Sequence, residues 1–212
     1  MRLVLFVSLL AACGGAAKPP TSPSNNAGTS SNLPAAYASV FKPATLSFKG
    51  EIVRSESTDT GPSKTTEAMT VSCTVGDVAT KPEYSIATLK CSTSSEEGFP
   101  DDPSGTFVGT PTGLYRVEAF DGDLTKLTDK QRLLPAEPKK DKREWPGSDE
   151  GFGEAMIVEP HAGGWCASHG VWGGDEGGWT LCFHPDKGVV GGSSFFAGGM
   201  SKDVFFGDVP RT

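Results

Sequence analysis

The 212-residue chain has no stretch that reaches the ~20 consecutive apolar residues a membrane-spanning helix requires. The nearest approach is residues 3–10 (LVLFVSLL), broken only by Ser8. Basic charge is also scarce: 19 Lys and Arg against 26 Asp and Glu leave a net charge of −7 and a pI near 5.0. Phosphates are held by clustered Lys and Arg, so no nucleic-acid partner is expected. The one basic cluster, Lys139-Lys140-Asp141-Lys142-Arg143-Glu144, is interrupted by acids and flanked by Pro138 and Pro146. It reads as part of a charged, Pro-rich surface loop over 135–148. Catalytic signatures are missing as well. Gly191-Gly192-Ser193-Ser194-Phe195 lacks the second glycine of a nucleophile elbow. Gly151-Phe152-Gly153 lacks the third glycine of a dinucleotide fingerprint, and Asp121-Gly122-Asp123 lacks the later ligands of a calcium loop. Glu96-Glu97 and Asp101-Asp102, around Pro100 and Pro103, read as a solvated acidic loop. No catalytic residue and no cofactor is expected.

What is present begins at the first residues. Met1-Arg2 carries one positive charge, the apolar run follows, and Leu10-Ala11-Ala12-Cys13 places small residues just before a cysteine. This is the three-part layout of a secretory signal peptide. Leu10-Ala11-Ala12-Cys13 resembles the lipobox of bacterial lipoproteins, and this resemblance covers residues 1–13 only. It implies cleavage after Ala12, acylation of Cys13, and a life tethered to the lipid membrane of a bacterial cell envelope. Gly14 is not the aspartate that retains many such proteins at an inner membrane, so the outer membrane is favoured where the source has one. Each buried acyl CH₂ contributes ~0.8 kcal/mol to such an anchor. The expected domains are a signal peptide (1–12), a disordered tether (13–34) and one β-rich domain (35–212). The tether is mostly Gly, Ala, Pro, Ser, Thr and Asn, too poor in apolar surface to offset its ordering entropy.

Setting Cys13 aside leaves Cys73, Cys91, Cys166 and Cys182, an even number that in an exported chain favours disulfides. Of the three possible pairings, Cys73–Cys91 with Cys166–Cys182 is preferred, because each pair flanks a plausible turn. Placing Cys166 opposite Cys182 centres the hairpin on Gly174. It opposes Trp165 to Phe183, Ala167 to Leu181 and His169 to Trp179. One face is then apolar except for His169, and the other carries the bridge with Ser168, Thr180 and His184; a one-residue slip would invert both. The same exercise centres the first hairpin on Pro82 and opposes Val75 to Leu89. An alternative reading makes Cys166, His169, Cys182 and His184 a zinc set. The hairpin register opposes it, since the two histidines fall on opposite faces.

Candidate strands span 45–53, 67–75, 84–91 and 113–120, then 154–158, 164–171, 179–183, 189–196 and 203–206. Leu46, Phe48, Gly50 and Ile52 alternate, as do Met69, Val71, Cys73 and Val75. The spacing of Leu124, Leu127, Gln131 and Leu134, stopped by Pro135, predicts one short helix over 124–134. More than half of the glycines fall after residue 150, where they permit sharp sheet curvature. The expected fold is mainly β: an antiparallel meander forming a curved sheet, barrel or sandwich, with one short helix and two disulfide hairpins. The expected function is a non-catalytic binding or structural module on the envelope. Its specific version takes an apolar ligand against Trp165, Trp179 and Phe183, and the alternative is a hydrolase of envelope polymers.

Overall fold

The computed structural model describes residues 32–58, 61–147, 149–174, 176–198 and 200–211. The signal segment, Cys13 and the tether through residue 31 lie outside the described residues. From Leu33 onward the chain is already engaged: Leu33 packs on the core, and the carbonyl of Pro34 accepts from Tyr37 N and Ala38 N.

The fold is one 12-stranded antiparallel sheet that curls into a half-barrel. Its strands are β1 (Ala44–Thr58), β2 (Gly61–Thr80), β3 (Ser85–Thr93), β4 (Gly105–Thr110), β5 (Gly113–Val117) and β6 (Arg132–Pro135). The second half supplies β7 (Asp141–Pro146), β8 (Gly153–His161), β9 (Gly164–Trp172), β10 (Glu176–His184), β11 (Gly188–Ala197) and β12 (Met200–Gly207). Each half is a six-strand meander. The two join where β1 pairs with β12, leaving β6 and β7 as the outer edges. Curling brings those edges together. Arg143 on β7 donates to the carbonyls of Asp129 and Arg132 at 2.7 Å each, and Lys130 pairs with Glu154 on β8. The seam is therefore closed by side chains rather than by a backbone ladder.

Alternating residues fill the concave side. Ile52, Val71, Leu89, Phe107, Leu114, Met156, Leu181, Phe183, Val204 and Phe206 are all buried in one cluster. The lower end is plugged by a 3-10 turn at Ala38–Phe41, whose neighbour Tyr37 donates its hydroxyl to Thr110 O at 2.7 Å. Burial pushes the Tyr37 phenol well above its ordinary range. At that end the β8–β9 turn takes left-handed backbone at both Ala162 and Gly163, the geometry a two-residue hairpin with right-handed strand twist requires.

Both disulfides form as the hairpin registers require, with Cys73 opposite Cys91 and Cys166 opposite Cys182. Trp165–Phe183, Ala167–Leu181, His169–Trp179 and Val75–Leu89 are opposed as expected. The expected helix over 124–134 is corrected. Only a 3-10 turn at Leu124–Lys126 forms, after which Leu133 and Leu134 enter β6. Asp123 caps that turn, and the Gln131 side chain turns back to accept from Thr128 N, so local polar bonds compete with helix propagation. Leu124 and Leu127 instead pack on the convex face over Val108, Tyr115 and Val117. The loop expected over 135–148 likewise contains edge strand β7, and β4 went unforeseen.

Candidate functional site

The upper mouth of the half-barrel holds a cleft of about 750 Å³. Asp101, Ser104, Arg116, Glu118, Gln131, His169 and Trp179 line it, drawn from both halves of the sheet. Leu114 and Arg116 share the inward face of β5, so Arg116 stands where an alternating strand would place another apolar residue. His169 occupies the corresponding exception on β9, opposite Trp179.

The segment from 94 to 104 bounds the cleft on one side. It was expected to be a solvated acidic loop and instead folds inward across the mouth. Lys202 donates to the carbonyls of Glu97 and Gly98 at 3.2 Å each, and Phe99 packs on Phe206. Asp101 N donates to the buried Ser194 hydroxyl at 2.7 Å. Arg116 fixes the far end by donating to Asp102 O at 2.7 Å and Ser104 O at 2.6 Å.

Two charged side chains here are partly withdrawn from water. Burial raises the Asp101 carboxyl above its ordinary range, although Arg116 and His169 pull the other way. Burial also lowers the Arg116 guanidinium, which sits 4.5 Å from the centroid of the Trp179 ring. Among the described residues the Asp101 carboxylate accepts no hydrogen bond, and Asp101 lines the cleft. His169 is differently placed. Its ring stacks on Trp179 at 5.6 Å, its Nε2 lies 3.1 Å from Glu154 Oε2, and its Nδ1 is buried without a partner. With Glu154 ionised, this network assigns the proton to Nε2. Hydrogen bonds from Lys130 and then His169 hold the Glu154 carboxyl below its ordinary range. Nε2 is thus engaged by Glu154, while Nδ1, the unprotonated acceptor, is sealed from the cleft by burial. Ser104 is equally committed, its hydroxyl accepting from Cys91 N at 2.8 Å.

Of the residues expected to meet an apolar ligand, Trp179 forms the floor of the cleft at 4 % exposure, Phe183 is buried in the core at 1 %, and Trp165 packs against that core half-buried. The alternative zinc set is not brought together. Cys166 and Cys182 are consumed by their bridge on the convex face, His169 points inward, and His184 lies at the lower end. Arg116 and Glu154 carry no expectation from sequence as site residues, while Asp101 is expected in an acidic loop and Gln131 on a helix. Two signals pointed to the site: a lone charge in the apolar phase of GLYRV, and the lone histidine in the apolar phase of β9.

Compared with protein families, with curated proteins and with solved structures, the chain matches none.

Proposed function

We propose that this chain is a lipid-anchored lipoprotein of a bacterial envelope whose β domain is a non-catalytic binding module. Its ligand is a polar molecule carrying hydroxyl or amino donors, taken up in the mouth cleft. The observation that carries the reading is Asp101: a half-buried carboxylate without a donor among the described residues, on the wall of a 750 Å³ cleft, beside Arg116 and Gln131. An unsatisfied, partly desolvated acceptor is costly until a ligand donor meets it, and that cost becomes selectivity for ligands that bring one. Binding is favoured over catalysis because the His169 Nε2 and the Ser104 hydroxyl are held in other bonds and the His169 Nδ1 is buried.

The hydrolase reading keeps one support, since an up-shifted carboxyl in a cleft suits a general acid. The other carboxylate on the lining, Glu118, is exposed. The apolar-ligand version has less support, because the concave interior is already filled by core side chains. Trp179 fluorescence is the natural reporter. Titration with amino sugars and neutral sugars is expected to give saturable changes, with affinity falling about tenfold in Asp101→Asn. Response to a fatty-acid probe alone would favour the apolar version, and release of product would favour the hydrolase. Attachment is tested separately: protein extracted from membranes of the native host should begin at Cys13 and carry acyl mass. A soluble form with no added lipid mass would overturn it.

A further inference from the structure

A second cavity lies on the opposite, convex face of the sheet and shares no lining residue with the mouth cleft. It encloses about 350 Å³ along β8 to β12, and its lining contains no Lys, Arg or His. The strand register fixes its layout. Ser168, Thr180 and Ser193 stand directly opposite one another on β9, β10 and β11, and form a row of hydroxyls continued by Phe205 on β12. Ser168 and Thr180 are already bonded to each other at 2.9 Å. One row higher, Phe195 opposes Asp203. On this face Asp203 therefore neighbours Phe195 across the strands and Phe205 two residues along its own strand.

The glycines explain why the space stays open. Gly170 and Gly178 are opposed on β9 and β10, and the Phe195 ring leans over both. A Cβ on Gly178 would come within 2.7 Å of that ring. Phe195 is thus laid against the sheet as a wall, away from Asp203. Among the described residues Asp203 forms no direct ion pair, and partial burial raises its carboxyl above the ordinary range against a weaker pull from the Lys64 cation. A cation already approaches the rim: the Arg211 guanidinium sits 6.0 Å from the Phe205 ring centroid, anchored to Glu51 at 2.6 Å.

We infer that this trough is a second binding site, for a small alkylammonium ion, with the ammonium head on Asp203 beside Phe205 and the tail along the hydroxyl row against the Phe195 wall. Ring faces and a carboxylate together are the chemistry that recognises organic ammonium groups, and Asp203, in no direct ion pair among the described residues, supplies the charge complementarity. A neutral alcohol of the same size gains at most one hydrogen bond from Asp203 and no charge attraction, and an anion is repelled.

The test is titration of the folded, disulfide-bonded protein with n-butylammonium and tetramethylammonium, followed by backbone amide NMR shifts, with n-butanol as the neutral comparison. Saturable shifts at Thr180, Ser193 and Asp203 are expected for both cations and not for butanol. Asp203→Asn, close to isosteric, should weaken the cations about tenfold, and Phe205→Leu should weaken them while leaving the fold intact by circular dichroism. Equal response to butanol, no saturable shift, or cation binding unchanged in Asp203→Asn would overturn the assignment. So would amine-independent dimerisation that protects Phe195 and Phe205, which would give the trough to a second copy of the chain.

Discussion

Trp179→Ala tests whether the cleft floor is core or cavity. The ring is 4 % exposed, belongs to the main core cluster and carries the Arg116 guanidinium at 4.5 Å. A buried tryptophan removes ~150–250 Å² from water, which at ~25 cal/mol per Å² gives an upper bound of ~4–6 kcal/mol. Large aromatic truncations in cores cost ~3–5 kcal/mol. Losing the contact with a partly desolvated guanidinium adds ~1 kcal/mol, although Arg116 keeps its bonds to the carbonyls of Asp102 and Ser104. The expected loss is therefore ~4–5 kcal/mol, a large share of the ~5–15 kcal/mol that holds most domains together. Urea unfolding under non-reducing conditions measures it, with the slope checked for constancy. Repeating Arg116→Met in the wild type and in Trp179→Phe separates the ring–cation coupling, expected at ~0.5–2 kcal/mol. A loss below ~2 kcal/mol for Trp179→Ala at constant slope would mean that the ring lines open space, and the burial argument would fail.

Replacing Cys166 and Cys182 together by alanine opens a bridge spanning 16 residues and should cost ~3 kcal/mol, while peptide mapping of the remaining protein should still show Cys73–Cys91. A crossed linkage such as Cys73–Cys166 in the wild type would contradict both hairpin registers. Asp101 and Glu154 should act on stability in opposite senses. The Asp101 carboxyl is raised when folded, so its contribution is fully present below the ordinary carboxylate range and is lost as pH rises through the folded value. Asp101→Asn should therefore gain stability relative to wild type as pH rises from the ordinary carboxylate range through the folded value, while losing ligand. The Glu154 carboxyl is lowered, so its contribution is present above the ordinary range and is lost as pH falls through the folded value. Glu154→Gln should be destabilising at neutral pH and harmless in acid; thermal melts across pH decide both, and parallel profiles for the two variants would refute the assignment.

The sequence by itself determined the β class, nine of the strands in outline and the registers of both disulfide hairpins. Period-two alternation and a cross-strand bridge together leave a hairpin one register only, since a single slip inverts its faces. What alternation could not reveal were strands that do not alternate. β4 is buried on both sides because the segment after β5 folds over its outer face. β6 is four residues long, and β7 is a charged edge strand bearing Pro146, as exposed edges commonly do. The helical spacing of Leu124 and Leu127 was real, but it was satisfied by packing on the convex face rather than by a helix. Only the tertiary structure could assemble the cleft. Asp101, Arg116, Glu154 and His169 are separated by up to dozens of residues, and only curling the sheet until β6 meets β8 brings them to one mouth. Local sequence encodes which way a side chain points along its own strand; which distant strand it then faces depends on how far the whole sheet bends.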